Sequence, residues 1–370
     1  MSQKIRLDCD FLIFDDIFPN PFSDWRYNEY VYYLKNINNT LVIANNFYDS
    51  SNYFNKQWVS DFKLAYPEHS GKLMHVGLNN IFNSKLGYCL FYNNLVKVFP
   101  VFESMHIPFV FTLYPGGGFK MFDEKVEENL ARFFSSKYFR HVIVNMPHVY
   151  EYITSKFKID KDKCTYIYGA PLNLPTVDFF PRKREVVKVV FSSHKYSSKG
   201  FDKGFDVFNK VAKHFENDNR ISFAVVGGFC KDDLIVNCEN IEFISELLPD
   251  KIAATFSKYD IILSPNRSHV LGCGSFDGFP TGSVLHAVNS GCMMMVTDEW
   301  DNAKTLNLID GVDYLRISTD TYQIVKAIEN ILDGNVSVSH IAESGRNKLI
   351  HHIDLDNQMK KRLKIINHYL

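Results

Sequence analysis

The sequence predicts an α/β protein built from two doubly wound, Rossmann-like domains in series. The chain has 370 residues, more than a single hydrophobic core usually serves, so two domains are expected. Short apolar runs alternate with helix-like stretches, which is typical of a parallel sheet covered by helices. This alternation stops once in the middle of the chain and then starts again.

The strands predicted in the first half are β-branched or aromatic runs without strict polar alternation, as expected when both faces of a sheet are buried. They read DFLIF, TLVIAN, GYCLFYN, PFVFTLYP, HVIVNM and CTYIYG. Helix-like stretches such as NNLVKVFPVFESMH and DEKVEENLARFFSS lie between several of them. Residues 1–178 are therefore predicted to form the first domain.

A stretch rich in proline and basic residues, GAPLNLPTVDFFPRKRE, is the best candidate for a linker. Its PRKRE end could also contact anionic lipid at a membrane surface. Downstream, VVKVVFS, ISFAVVGG, NIEFIS, DIILSPN and MMMVTD are predicted strands that alternate with helices. A second domain is predicted over 186–345, followed by a helical segment over 346–370 that could pack back on the first. The cleft between the domains is the expected ligand site.

Composition excludes several classes of function. Hydrophobic residues make up 46% and charged residues 22%, as in soluble globular proteins. A formal charge of -1 gives no general attraction to nucleic acid. The seven cysteines are scattered and never spaced C-x-x-C, so we expect reduced thiols and no metal site. No apolar run is long enough for a signal core or a membrane span, so we expect a cytoplasmic protein that could act at the inner face of the membrane.

The stretch GSFDGFPTGSVLHAVNSG changes from a turn-rich loop into an apolar-periodic segment, which predicts a helix beginning near Thr281. Pro280 suits a first helical turn, and Thr281 and Ser283 can offer hydroxyls to free amides or to a ligand. Gly282 leaves room for close approach. Free N–H groups at a helix start attract phosphate, so this start is a candidate anion site. The alternative is that Thr281 merely caps the helix.

The same stretch resembles the donor-binding segment of the GT-B glycosyltransferases, specifically the family 4 retaining enzymes. In that family an acidic residue and Gly-Phe lead into a helix reading Glu-Ala-Met-Ala-x-Gly; Asp277, Gly278 and Phe279 match the first part, and HAVNSG matches the second. The resemblance implies that Asp277 faces the donor sugar and that His286 occupies the ribose position. The chain differs from the family because aspartate and histidine replace two glutamates, with one extra residue between them. An imidazole can still bond a ribose hydroxyl, but the identity of the sugar nucleotide stays open.

A second match, KGFDVF, begins at Lys203 and resembles the Lys-Gly-x-Asp helix opening of the same family, whose lysine contacts the donor diphosphate. An ammonium opposite a pyrophosphate stabilises the departing charge. Lys203 and Asp277 are therefore the catalytic candidates. The arginine that the family usually carries upstream has no clear counterpart; Ser193 lies there, and Lys195 or Lys199 could replace it. By itself, a lysine before glycine is ordinarily a solvated surface charge.

A third candidate stretch, FTLYPGGGF, is a β-rich run that ends in Tyr114 and leads into three glycines. Such a loop can hold a ligand against bare backbone, and Gly117 is counted among the donor-binding candidates on that ground. In the resembling family this strand often ends in a histidine beside the donor sugar. Tyr114 and Gly116 are therefore candidates for the sugar or acceptor side. The alternative, a tight turn with positive φ, needs no ligand.

The resemblance implies a GT-B architecture, with the first domain on the acceptor side and the second binding the sugar nucleotide. The implied activity is retaining, metal-independent hexosyl transfer from a nucleotide-diphosphate donor to a hydroxyl of a glycan or lipid-linked saccharide. The expected partners are that donor, that acceptor and the membrane surface, with no cofactor beyond the co-substrate. Two alternatives stay open: an inverting GT-B transferase with His106 or Asp123 as base, and a catalytically silent binding subunit, favoured by His286.

Overall fold

The computed structural model describes residues 5–44, 56–175 and 185–370. It contains two parallel sheets with interleaved helices, which confirms the predicted class of two Rossmann-like α/β domains. The chain divides into two compact units, one formed by Met1–Asn173 with Leu355–Leu370 and the other by Leu174–Asp354.

The first unit has one sheet within the described residues, and its paired strands all run parallel. The strands are β1 (Arg6–Asp15), β2 (Thr40–Ala44), β3 (Leu73–Met74), β4 (Ile81–Leu90), β5 (Phe109–Leu113), β6 (Phe139–Val144) and β7 (Cys164–Tyr166). Their spatial order is β3-β2-β1-β4-β5-β6-β7. The helices between them are α1 (Asp24–Asn36), α2 (Lys56–Ala65), α3 (Tyr92–Ser104), α4 (Glu124–Phe134) and α5 (Pro147–Phe157).

Sequence patterning located the buried strands of this sheet but not their full extent. The central strand β1 is fully buried from Phe11 to Phe14, because helices cover both faces of the sheet. The strand β4 begins at Ile81, before the predicted GYCLFYN, since its first half carries polar, partly exposed residues that hide the apolar run. The two-residue strand β3 was missed because it is too short to show a period.

The second unit also has one parallel sheet within the described residues. Its strands are β8 (Val187–Ser193), β9 (Ile221–Gly227), β10 (Ile241–Ile244), β11 (Ile261–Ser264), β12 (Met293–Thr297) and β13 (Leu315–Ile317). Their order is β10-β9-β8-β11-β12-β13, so the direction of winding reverses between β8 and β11. Its helices are α6 (Phe205–His214), α7 (Pro249–Phe256), α8 (Gly282–Asn289), α9 (Asn302–Thr305), α10 (Thr321–Leu332) and α11 (Val338–Ile353).

The helix expected to open at Lys203 begins later, at Phe205. Residues Ser198–Lys203 instead form short 3-10 turns interrupted by left-handed backbone at Lys199 and Gly200, and Gly204, with a φ of 69°, separates this segment from α6. A Cβ atom at Gly204 would lie 2.0 Å from the carbonyl oxygen of Pro265. The close approach of that strand end, together with the left-handed backbone, requires glycine here and ends the 3-10 segment.

The predicted division at residue 346 falls inside α11, which runs without a break from Val338 to Ile353. The chain changes unit at Asp354, and the last helix, α12 (Leu355–Tyr369), packs in the first unit against α1 and β6. The predicted end of the first domain at residue 178 and most of PRKRE fall within 176–184, outside the described residues.

A buried ion pair ties α12 to the first unit. The guanidinium of Arg362 is fully buried, and its Nη2 donates to the hydroxyl of Tyr114 at 2.8 Å. Its Nε lies 3.7 Å from Oε2 of Glu29, whose carboxylate is also fully buried.

Among the described helices, none is both long and apolar enough to cross a membrane.

Candidate functional site

The predicted site residues of the second unit gather where the winding of its sheet reverses. The strand β8 ends at Ser193 and the adjacent β11 ends at Ser264. In an open parallel sheet, the crevice at this switch point is where ligands bind, because the loops leave its two sides in opposite directions. The loops 194–204 and 265–281 follow these two strands and carry Lys203 and Asp277, respectively.

Lys203 and Asp277 touch although 74 residues separate them in sequence. The ammonium Nζ donates a hydrogen bond to Oδ2 of Asp277, forming an ion pair. The same Oδ2 accepts a bond from Nδ2 of Asn266 at 3.2 Å, and Oδ1 accepts the backbone N–H of Gly278 at 3.0 Å. The Lys203 side chain is 8% exposed and that of Asp277 is 30% exposed. The structure thus brings the two catalytic candidates together.

The Lys203 ammonium has donors to spare. An ammonium carries three N–H groups, and within the described residues its one hydrogen bond is to Asp277. Its Nζ lies 3.8 Å from Oδ2 of Asp202, beyond hydrogen-bond range, and 5.0 Å from the ring centre of Tyr196. Burial by itself would lower the pKa of Lys203, but Asp277 and the Tyr196 oxygen outweigh it, and the pKa lies above its ordinary value. The site therefore holds a charged, buried cation.

The start of α8 is open rather than capped by a side chain. Thr281 is the N-cap residue, yet its hydroxyl makes no bond to a helix amide and lies 3.2 Å from Oγ of Ser283. Ser283 Oγ donates to the carbonyl oxygen of Ser192 at 2.8 Å, which ties the helix start to β8. A Cβ atom at Gly282 would meet nothing within 4 Å. Pro280 precedes the N-cap, so its expected place in the first turn is wrong.

The rest of the α8 segment divides into an anchor and an accessible face. Phe279 is buried and its ring packs 6.2 Å from that of Tyr314, edge to face. His286 is half-buried and follows Gly282 by four residues, so both lie on the same side of the helix. The packed Phe279 holds the loop in place. Gly282 and His286 lie on one side of α8, and at Gly282 this side has no atom within 4 Å of a Cβ position.

Two lysines were possible replacements for the missing family arginine. Lys195 is bound to the carboxylate of Asp233, with Nζ–O distances of 2.9 and 3.0 Å. Lys199 is half-buried, in a left-handed backbone conformation with a φ of 58°. The hydroxyl of Ser193 donates to the carbonyl oxygen of His194 at 3.1 Å. Which of these two lysines takes the place of that arginine stays a prediction.

The first loop contains a tandem repeat. KGFD occurs twice in succession, at 199–202 and at 203–206. Arg267, from the second loop, contacts both copies: its N–H donates to the carbonyl oxygen of Asp202 at 2.9 Å, and its Nη2 to Oδ2 of Asp206 at 2.7 Å. Arg267 therefore fixes one loop against the other. The repeat was a visible signal for this region, but nothing local pointed to Arg267 or to Tyr196.

Tyr114 belongs to the first unit, and its environment differs from the expectation. The side chain is 3% exposed, and its hydroxyl accepts a bond from Arg362 and donates to Oε2 of Glu29 at 3.2 Å. The buried guanidinium and carboxylate need polar partners, and Tyr114 supplies one for each. In this structure the hydroxyl is thus engaged within the protein rather than facing a sugar.

The glycine loop after β5 has the geometry of a tight turn. Gly116, Gly117 and Gly118 have φ values of 81°, 55° and 80°, and the carbonyl oxygen of Gly116 accepts the N–H of Phe119 at 3.0 Å. A Cβ atom at Gly117 would lie 2.7 Å from the side chain of Phe91. The turn alone accounts for these glycines, so their contact with a ligand stays a prediction.

The two residues considered as an inverting base lie at opposite edges of the first sheet. His106 precedes β5 and so lies at the amino-terminal edge of the first sheet, opposite the edge where Gly116 lies. Asp123 lies on the carboxyl side, in the loop between β5 and α4, and its Oδ1 accepts the N–H of Val126 at 3.1 Å as the cap of α4. Ligands of open parallel sheets bind at the carboxyl edge.

No family model matches the sequence, and no curated protein sequence matches it. Solved structures do resemble it. The structure of Anabaena HepE in complex with UDP-glucose has a TM-score of 0.66 and 12% identity, covering 97% of this chain and 100% of HepE. Sucrose-phosphate synthase from Thermosynechococcus elongatus has a TM-score of 0.64 and 11% identity, with 97% and 98% covered.

A longer protein is also similar. A variant of TarM from S. aureus, in complex with UDP, alpha-GlcNAc-glycerol and fondaparinux, has a TM-score of 0.56 and 14% identity. The match covers 77% of this chain, which spans only 55% of the TarM length. At such low identity these likenesses establish the fold: the chain shares the two Rossmann-like domains of the GT-B architecture.

Proposed function

We propose that the chain is a glycosyltransferase that uses a nucleotide-diphosphate sugar as donor. The observation that carries this proposal is the buried Lys203 ammonium, which has spare N–H groups and lies at the switch point of the second sheet. The open start of α8 is at the same edge and adds free amides. A diphosphate has the charge and the oxygens that both features recognise. The shared fold with HepE, whose structure contains UDP-glucose, supports a sugar nucleotide as the source of that diphosphate.

The proposed mechanism is retaining transfer. The bond between the anomeric carbon and the diphosphate oxygen breaks, the acceptor oxygen bonds to the same face, and its proton passes to a donor phosphate oxygen. Lys203 and the α8 amides stabilise the charge that develops on the leaving diphosphate. Asp277 positions the sugar and stabilises its developing positive charge. These groups supply positive charge without a divalent ion, so transfer should persist in excess EDTA.

The proposed acceptor is a hydroxyl of a glycan or lipid-linked saccharide, reached at the membrane surface in the second case. Retention is tested by proton NMR of the first-formed product, since the coupling constant at the anomeric position reports its configuration. An inverted product would replace the retaining proposal with the inverting one. The position of His106 at the amino-terminal edge gives that residue no support as the base, whereas Asp123 stays a candidate.

One observation favours a second candidate, a binding subunit without catalysis. His286 stands where the resembling family has its second glutamate, and it cannot supply the negative charge of a carboxylate. Calorimetric titration with sugar nucleotides, followed by a search for slow donor hydrolysis, separates the two functions. Binding without any turnover would favour the subunit.

The decisive experiment uses thermal unfolding with a panel of sugar nucleotides, because a ligand of the folded state raises the unfolding temperature. We expect one sugar nucleotide to stabilise the native chain and the Lys213→Ala variant, but not Lys203→Ala. Lys213 is a matched control: it lies on α6 and forms an exposed ion pair with Glu216. Equal stabilisation of both variants would remove Lys203 from the donor site.

A further inference from the structure

The ion pair between Lys203 and Asp277 bears on how a diphosphate would bind to the Lys203 ammonium and be released from it. We infer that the Asp277 carboxylate is an internal counter-ion of Lys203, displaced by the incoming diphosphate and returning to help expel it as product. This inference rests on the proposed function. It gives Asp277 a role in nucleotide release that is separate from any contact with the sugar.

The Asp277 side chain is more exposed to solvent than the Lys203 ammonium that it binds. The Lys203 side chain is 8% exposed, whereas the bound Asp277 side chain is 30% exposed. Of the other neighbours, Asp202 is 6% exposed, and the ring of the exposed Tyr196 lies 5.0 Å from Nζ. An anion that approaches Nζ from the side of Asp277 therefore meets that carboxylate first.

Asp277 can release Lys203 without becoming an unpaired charge. Its Oδ2 already accepts a second bond from Nδ2 of Asn266 at 3.2 Å, and its Oδ1 accepts the N–H of Gly278 at 3.0 Å. An acceptor that keeps two other donors avoids most of the cost of a lost partner. Exchange of the carboxylate for a phosphate oxygen at Nζ is therefore a replacement of one charge-assisted bond by another.

The exchange has a measurable consequence for ligands that contain no sugar. If Asp277 only positions the sugar, its removal leaves the binding of inorganic pyrophosphate and of free UDP unchanged. If it competes for Lys203, its removal tightens both. The two roles of Asp277 therefore predict different affinities for a sugar-free ligand after its removal: unchanged in the first case and higher in the second. The rate of sugar transfer falls in both cases.

The test measures the affinities of pyrophosphate and UDP by calorimetry, at fixed low salt, for the native chain and for Asp277→Asn and Asp277→Ala. We expect both variants to bind pyrophosphate about five- to tenfold more tightly, the worth of one competing charge-assisted bond. Asp202→Asn is the matched control, because it also removes a carboxylate near Lys203 but no hydrogen bond to it. It should tighten pyrophosphate binding less than either Asp277 variant does, because no charge-assisted hydrogen bond is removed.

Thermal unfolding checks that each variant is folded, and Asp277→Ala covers the case in which the asparagine amide oxygen still binds Lys203. Unchanged or weaker pyrophosphate binding in both Asp277 variants would overturn the exchange and leave the proposed function standing. Equal tightening in Asp202→Asn would show a general effect of charge and would also overturn it. Failure of both probes to bind any of the chains would remove the donor site itself.

Discussion

The two KGFD copies, 199–202 and 203–206, have the same sequence but different structural environments. Phe201 of the first copy is 38% exposed, whereas Phe205 of the second is fully buried. Likewise Lys199 is half-buried with a left-handed backbone, while Lys203 is buried and ion-paired. The second copy leads into α6, whose apolar side packs on the sheet, and the first does not. Position relative to the helix start, rather than residue type, therefore assigns these roles.

The largest expected contrast is in stability, between Phe205→Ala and Phe201→Ala. The Phe205 ring lies 5.5 Å from that of Phe191 and 4.6 Å from that of Phe229, so its removal leaves a core cavity. We expect Phe205→Ala to lower the free energy of unfolding by about 3–5 kcal/mol, and Phe201→Ala by about 1 kcal/mol or less. Urea denaturation measures both. Similar losses would mean that the two copies are equally buried in solution.

The next contrast concerns activity. Because only Lys203 presents a buried ammonium beside Asp277, Lys203→Ala should lower kcat of sugar transfer by about 100-fold or more. Lys199→Ala, at the same place in the first copy, should lower it by less than about tenfold. Steady-state kinetics with the donor identified by thermal unfolding provides the measurement. A larger loss in Lys199→Ala would make the first copy the diphosphate-binding one.

The two KGFD copies also differ in how closely their glycines, Gly200 and Gly204, approach neighbouring atoms. A Cβ atom at Gly204 would lie 2.0 Å from a backbone carbonyl oxygen, whereas one at Gly200 would lie 2.3 Å from a side chain, the ring of Phe229. Both have positive φ, so both substitutions cost stability. We expect about 2–3 kcal/mol for Gly204→Ala and about 1–2 kcal/mol for Gly200→Ala in unfolding free energy. The reverse order in denaturant melts would contradict the role of Gly204 in the close approach of the two loops.

The smallest contrast separates the two aspartates, both of which are buried. Asp206 accepts a charge-assisted bond from Arg267, while Asp202 accepts a bond from the hydroxyl of Ser197. An amide oxygen can replace the second partner better than the first. Asp206→Asn should therefore cost about 1–2 kcal/mol of unfolding free energy and Asp202→Asn less than about 1 kcal/mol. Equal costs would indicate that Arg267 does not hold the second copy in place.

The sequence by itself determined the fold class and most elements, because strand burial, helix period and turn residues are local patterns. The start of α8 was placed to within a residue on that basis. The sequence motifs that contain Lys203 and Asp277 are local patterns as well, and they identify both residues as candidates without any knowledge of their contact. The short strands β3 and β13 escaped because two or three residues show no period.

Only the tertiary structure decided which of these residues meet. It paired Lys203 with Asp277, brought Arg267 to both KGFD copies, and engaged Tyr114 with Arg362 from the end of the chain. It also moved the start of α6 to Phe205, because Gly204 must pass close to a strand end. These features depend on atoms far apart in sequence, whose contacts arise from sheet order and packing, and no local pattern of residues encodes them.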